Sequence, residues 1–202
     1  MRKLHREWFP LNYPDSFYDK LLHKPQVLPI GCFLSVPKDC EDNSKRGRRE
    51  FAEVMLGSII SRMKTGKDDI VEICEKEEDN SFKAQSSSLV YMMSKLFCAP
   101  YQSCRSVRRE HAMTQGCYIM TLGILDECRS MGLGTLLLNE TFVQTRKLFP
   151  TTKFAYLHVV DYNKAAINFY LKKNGFRFLK VERDHYEIFE KEYDAWLLYC
   201  PL

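Results

Sequence analysis

The sequence predicts a single α/β domain built on a mixed sheet, and three stretches carry that expectation. Cys117–Leu125 is rich in β-forming residues and runs into a glycine-rich turn. An apolar helix with Leu136, Leu137, Leu138 and Phe142 follows to about Leu148, where Pro150 stops it. Phe154–Val160 reads as a second strand, leading to a helix that Asn163 caps and Asn174-Gly175 ends near Lys173. Two further β-rich stretches, about Phe176–Asp184 and Tyr193–Cys200, fit an antiparallel pair at the end.

The first half is less regular. Arg2–Trp8 is a short charged segment that fits the end of a helix, and two prolines then punctuate the aromatic loop Phe9–Asp15. Asp15 or Ser16 caps a helix through Phe17, Leu21 and Leu22, with Pro25 and Pro29 as its stops. Ile30–Val36 and Phe51–Met63 read as strands, the second with Gly57 at an expected bulge. From Thr65 to about Gln115 periodicity is lost. The stretch holds an acidic run, Glu75–Asp79, and an apolar patch, Leu89–Phe97, that fits a short helix packing back on the body. A loop of that length reads as an insertion or a partly disordered segment.

At 202 residues the chain is long enough for one core, and 45% hydrophobic with 28% charged residues is ordinary for a globular domain. The net charge of +4 is too mild to argue for nucleic acid. The basic clusters Lys45–Arg49 and Arg105 with Arg108-Arg109 read as loop charges. Eight cysteines form no C-x-x-C pair and have no histidine at metal-finger spacing, so neither zinc nor a disulfide framework is expected. Scattered thiols, with no apolar leader and no membrane-length run, point to a cytoplasmic protein without a membrane partner.

One motif carries chemistry. Arg129-Ser130-Met131-Gly132-Leu133-Gly134 is an R-x-x-G-x-G turn between a strand and a helix. A helix start leaves N–H groups unpaired at the positive end of the dipole, and glycines let the backbone approach closely, so a pyrophosphate fits there. No G-K-[ST] follows, so it is not a Walker loop, and it lacks the dinucleotide spacing. Alone, the pattern equally describes a tight turn. By alternation Tyr118 shares a strand face with Met120 and Leu122, and His158 shares one with Tyr156 and Phe154. A histidine in an apolar strand reads, by itself, as a hydrogen-bonded core residue.

Taken together and in order, several stretches resemble the GNAT acetyltransferases. More narrowly they are similar to the NatE-type N-terminal acetyltransferases, with the NatF type next. The stretches are Phe9–Tyr13, Tyr118–Gly123, Arg129–Gly134, Tyr156–Val159, Asn163, Ala166–Tyr170 and Gly175-Phe176. The resemblance implies a GNAT fold with a mixed, mostly antiparallel sheet flanked by helices, as one domain over 1–202 interrupted by an insertion at 65–115. Few residues precede Phe9, so the family's first strand is expected to be missing.

The resemblance also implies acetyl-coenzyme A as cosubstrate and the α-amine of a protein N-terminus as acceptor, a methionine followed by a hydrophobic residue. Leu122, Gly123, Ile124 and Leu125 would pair with the pantetheine arm and hold the oxyanion. Arg129, Ser130, Met131, Gly132, Leu133, Gly134 and Thr135 would cradle the pyrophosphate, and Asn163 and Tyr170 would line the rest. Phe9, Pro10, Leu11, Tyr13 and Met120 would make an apolar wall for the peptide, and His185 and Tyr186 would close over its backbone. The family has two tyrosines where this chain has His185-Tyr186. Asn12 stands where the NatF type has a glutamate, which favours NatE.

Tyr118 and His158 would be the catalytic pair, acting through ordered water. An α-amine with a pKa near 8 attacks only when neutral, and a near-neutral imidazole is a suitable base. The amine needs no acyl-enzyme, so Cys117 and Cys128 read as packing. Partners on a ribosome-associated acetylation complex would be auxiliary subunits. A lysine or small-amine acetyltransferase, or a weakly active coenzyme-binding accessory subunit, would also fit the motifs.

Overall fold

In the computed structural model the described residues are 2–9, 13–37, 51–65, 69–70, 72–77 and 114–202. Pro10, Leu11, Asn12, the basic run Lys45–Arg49 and the Leu89–Phe97 patch lie outside them. Six strands form one sheet in the order β1-β2-β3-β4-β6-β5. They are β1 (Val27–Pro37), β2 (Phe51–Thr65), β3 (Gln115–Ile124), β4 (Thr152–Val160), β5 (Arg177–Ile188) and β6 (Lys191–Pro201). Helices α1 (Arg2–Trp8) and α2 (Asp15–His23) precede β1, α3 (Leu133–Leu148) joins β3 to β4, and α4 (Lys164–Asn168) follows β4.

Strand alternation sorts the core into two layers. Ala155, Leu157 and Val159 of β4 and Leu198 of β6 pack with Leu137 and Leu138 of α3 and with Ile167 and Tyr170. Phe154, Tyr156, Leu197 and Tyr199 face the other way and bury Ile70 and Ile73 of a helical segment at 72–77 and its preceding turn. Part of the stretch expected as an insertion is therefore core. Polar contacts fasten it to β5 and β6. Glu77 accepts from Arg177 and from the Tyr199 hydroxyl, both at 2.7 Å, and Lys76 donates to the Phe178 carbonyl at 3.1 Å.

Three local expectations change. Pro29 does not stop α2, which ends at His23, but sits inside β1. β1 is an edge strand, where a missing N–H removes no ladder bond on the solvent side. The helix after Asn163 is α-helical only to Asn168 and widens into a π-turn over Phe169–Lys173. β5 continues past Asp184 to Ile188 through a bulge: Glu182 pairs with Ala195 but Tyr186 with Tyr193, leaving Arg183–His185 looped out. Asp184 takes φ 51 there, and its N–H is held by Asp194 Oδ1 at 3.1 Å. Aspartate tolerates that left-handed backbone better than most residues. A smaller bulge in β2 puts Leu56 out of register beside Gly57, as that glycine suggested.

Five aromatic rings surround His5, which is 1% exposed: Trp8, Phe9, Tyr13, Phe17 and Tyr18, with centroids 5.4–6.4 Å away. This cluster locks α1 to α2 and sets Trp8, Phe9 and Tyr13 along one wall of the cavity described below.

Ile73 is fully buried in the second layer. Ile73→Ala is expected to cost roughly 2–4 kcal/mol in a urea melt. A loss under about 0.5 kcal/mol would mean that the segment is only an attached surface turn.

Candidate active site

Among the described strands β3 and β4 are the only parallel neighbours, and they separate. Their register runs from Gln115↔Thr152 to Tyr118↔Tyr156 and goes no further. β3 stays paired to β2 as far as Ile124, and β4 to β6 as far as Val160. Each strand thus keeps one open edge, over Ile119–Ile124 and Leu157–Val160. Buried backbone groups need partners, so two facing open edges make a slot for an extended ligand with its own polar atoms. A cavity of about 640 Å³ fills the gap, lined by both edges.

One end of the cavity meets the start of α3. Gly132 has φ 84, a left-handed conformation that a side chain would strain, and stands at the helix N-cap without a side-chain cap. The first bond into the helix is Leu136 N–H to the Gly132 carbonyl, which leaves the N–H groups of Leu133, Gly134 and Thr135 without a helical acceptor. All three residues line the cavity with Arg129, Ser130 and Gly132. Such a terminus suits an anionic group. The Arg129 side chain turns back instead, to Asp126 Oδ1 at 2.7 Å and the Ile124 carbonyl at 3.4 Å. Asn163, whose Oδ1 accepts from the Ala166 N–H at 3.0 Å, and Tyr170 line the same side.

At the other end stands His158, its side chain 5% exposed. Tyr118 Oη is 3.3 Å from Nδ1, and Glu182 Oε2 is 2.9 Å from Nε2. That second approach is off the N–H line, so it is a charge contact rather than a formed hydrogen bond. The Tyr186 hydroxyl donates to the His158 carbonyl at 3.0 Å. His185 lies flat on the His158 ring, centroids 4.1 Å apart and planes within 14°. Its Nδ1 is 2.8 Å from the same Glu182 oxygen.

The expected near-neutral imidazole is corrected here. Burial, and then the neighbouring His185, push His158 down to about 4, against a partial upward pull from Glu182. The ring is therefore neutral at neutral pH and keeps one unprotonated nitrogen. Burial also raises Tyr118, which keeps its proton and remains a donor. Burial raises Glu182 too, but His158, Lys180 and His185 outweigh it and hold the carboxylate below its ordinary value.

His158, Glu182 and His185 bring ligating atoms within 4.8 Å of one another. Stacked rings, however, aim their in-plane lone pairs along parallel planes rather than at one point. Lys180 Nζ already lies 3.3 Å from the other Glu182 oxygen. The Glu182 carboxylate is thus shared among Lys180 and the two imidazoles.

Of the residues singled out in the sequence, Phe9, Tyr13, Met120, Leu122, Gly123, Ile124, Arg129, Ser130, Gly132, Leu133, Gly134, Thr135, His158, Asn163, Tyr170 and Tyr186 line the cavity. Leu125 and Met131 are not among the lining residues, and Met131 is 70% exposed. Tyr118 is not among the lining residues but sets its hydroxyl beside His158 Nδ1, and His185 packs on His158 where it was expected over a peptide. Cys117 is fully buried, while Cys128 lines the cavity. Sequence reasoning missed Trp8, which packs so close to Gly123 that a Cβ there would meet it at 2.1 Å. It also missed Lys64, with Nζ 3.5 Å above the Tyr118 ring, and Glu182. The E-x-x-H spacing of Glu182 and His185 was visible, but a regular strand would have put them on opposite faces.

The six-stranded sheet and its flanking helices superpose on solved structures. The fold is that of the GNAT acetyltransferases. The sequence profile of the acetyltransferase (GNAT) family matches residues 101–176. NAA60 of Arabidopsis thaliana in complex with a bisubstrate analogue superposes with a TM-score of 0.64 at 19% identity, covering 100% of this chain and 91% of that one. Arabidopsis thaliana Naa50 with the bisubstrate analogue CoA-Ac-MVNAL gives 0.55 at 19% identity, covering 100% and 89%. In sequence, N-alpha-acetyltransferase 60 of Danio rerio is 26% identical over 169 residues, 81% of this chain and 49% of that protein. N-alpha-acetyltransferase 50 of Danio rerio is 38% identical over 84 residues, 41% of this chain and 49% of that protein. The chain thus spans about half the length of the curated relatives it matches. No helix among the described residues of this GNAT fold is long and apolar enough to cross a membrane.

An unfolded histidine takes up its proton near pH 6.5, whereas His158 in the folded chain does so near 4. Between these values the unfolded state binds more protons, so stability falls as the pH drops through that window. His5, lowered by burial, adds to the slope. Thermal melts from pH 7 to 4.5 should show this fall, and His158→Gln should flatten it. Parallel curves would assign the acid sensitivity to other groups.

Proposed function

We propose that this chain transfers the acetyl group of acetyl-coenzyme A to the N-terminal α-amine of proteins. The observation that carries the reading is the slot between β3 and β4, with the Gly132–Thr135 helix start at one end and the Tyr118–His158 pair at the other. Its length and chemistry suit a coenzyme with an anionic head and an amide-bearing arm. Likeness to N-alpha-acetyltransferases in sequence, and to structures holding bisubstrate analogues, supports the same reaction class.

The N–H groups of Leu133, Gly134 and Thr135 would hold the pyrophosphate, and the open β3 edge at Leu122–Ile124 would pair with the arm and steady the oxygen of the reacting carbonyl. The bound coenzyme supplies an acetyl thioester. The amine nitrogen forms its bond to the carbonyl carbon as the C–S bond breaks. Its proton passes through water to His158, with Tyr118 orienting that water, and the coenzyme leaves as the thiol. No covalent enzyme intermediate is required.

The peptide wall would consist of Phe9, Tyr13 and Met120, with Tyr186 lining the same cavity, and the family resemblance implies Pro10 and Leu11, outside the described residues, as further members. An apolar wall favours a methionine start with a hydrophobic second residue, the NatE-like preference. The Naa50 neighbour, solved with a bisubstrate analogue whose peptide begins Met-Val, is compatible with this. A cytoplasmic site of action and auxiliary ribosome-associated subunits belong to the same reading, and the NatC complex among the structural neighbours shows that similar folds occur in assemblies.

The test is acetyl transfer to a peptide panel read by mass spectrometry: Met-Leu, Met-Lys, Ser and Ala starts, and an N-blocked peptide with a free lysine. Transfer to the Met-Leu amine is expected, with kcat falling about 10²–10⁴-fold in His158→Ala and less in Tyr118→Phe. Transfer to the lysine peptide alone would replace the reading with a side-chain acetyltransferase. Coenzyme binding with no transfer would make the chain an accessory subunit.

A further inference from the structure

We infer that Glu182 is a positioning residue for the transfer step. Its carboxylate fixes the imidazole proton of His158 on Nε2 and leaves Nδ1, beside Tyr118, to take the proton from the amine. The inference rests on the amine-acetylating reading above and extends it to a residue and a polarity which that reading does not specify.

Three observations support it. The two nitrogens of the buried ring have opposite neighbours: a hydroxyl at 3.3 Å from Nδ1 and a carboxylate oxygen at 2.9 Å from Nε2. A neutral imidazole has one proton, and a carboxylate attracts it electrostatically even off the bond line. The lone pair then belongs to Nδ1. Secondly, the carboxylate is anchored. Lys180 Nζ is 3.3 Å from Glu182 Oε1 and is itself tied to Glu72 at 2.7 Å and Asp69 at 3.9 Å, across the helical segment that completes the core. Thirdly, the Arg183–His185 bulge is what brings His185 round, stacking its ring on His158 at 4.1 Å with Nδ1 on the same Glu182 oxygen.

The proton balance is simple. One proton leaves the amine nitrogen through water for Nδ1, so the ring then holds two protons and one positive charge. Glu182 offsets that charge where water is excluded, and the ring returns the proton to the leaving thiolate or to solvent. His185 works in the opposite sense, because a proton on it would set a second positive charge against the first. The charged and titratable groups facing His158 are Glu182, His185 and Lys180 from β5, Lys64 from β2, Tyr118 from β3, and Asp69 near Glu182. Of these, Glu182 is the group whose charge favours the protonated ring and His185 the one that opposes it most strongly.

The test follows the ring itself by nitrogen-15 NMR of labelled histidine in the resting protein, with the His158 signal identified by its absence from His158→Gln. The wild type is expected to show the proton on Nε2. Glu182→Gln should lower the midpoint of His158 titration, and His185→Phe should raise it. In peptide acetylation with acetyl-coenzyme A and a Met-Leu peptide, Glu182→Gln should lower kcat by roughly ten- to a hundredfold. Its KM for the coenzyme should be unchanged and the acid limb of its pH profile moved to lower pH, while Glu182→Asp recovers part of the rate. Melting and coenzyme calorimetry confirm that each variant folds. An unchanged titration and tautomer in Glu182→Gln would overturn the inference even with a fully active wild type. A wild type that binds coenzyme yet acetylates no amine would overturn the reading on which it rests, whatever the NMR shows.

Discussion

The parting of β3 and β4 after Tyr118↔Tyr156 is the constraint on which the rest of the site depends. Parallel strands need a long crossover, and α3 supplies it, so its N-terminus must begin where β3 ends. That fixes the helix start at the mouth of the gap. The same parting leaves two backbone edges with unsatisfied groups inside the molecule, an arrangement that costs stability unless a ligand or water pairs with them. A slot of this kind is therefore a binding feature more than a packing one.

Around the gap, two independent structures hold the walls. On one side the His5 aromatic cluster fixes α1 against α2 and delivers Trp8 to Gly123, the glycine being needed because no side chain fits under the indole. On the other side the β5 bulge turns Glu182 and His185 toward His158, while Lys180 and the 72–77 segment brace the bulge from beneath. The chemistry is thus carried on strands but tuned by irregularities in them. A straight β5 would set Glu182 and His185 on opposite faces.

The charge balance around His158 sets the protonation state of its buried imidazole. Burial alone makes the charged ring unfavourable, and Lys64 and His185 add to that. Glu182, the compensating carboxylate among the described residues, lies 2.9 Å from Nε2 and is held low by its cations. The ring rests neutral and can still accommodate a transient proton. Tyr118, kept protonated by burial, completes a site with one donor and one acceptor.

Sequence by itself determined the second half almost entirely. Strand alternation, the glycine turn and the Asn163 cap are local signals, and β3, α3 and β4 appeared where they pointed, while β5 ran past Asp184 to Ile188 and the last helix ended its α-turns at Asn168. Strand alternation placed Tyr118 and His158 on their strand faces but read His158 as a core histidine, and only the family resemblance singled the two out as a pair. Only the tertiary structure decided that the stretch after Thr65 contributes Ile70 and Ile73 to the core, since burial there comes from β4 and β6, far along the chain. It alone decided where Trp8, Glu182 and His185 sit. Their positions follow from a close packing contact and from a two-residue bulge set by pairing with β6, and periodicity along one strand encodes neither.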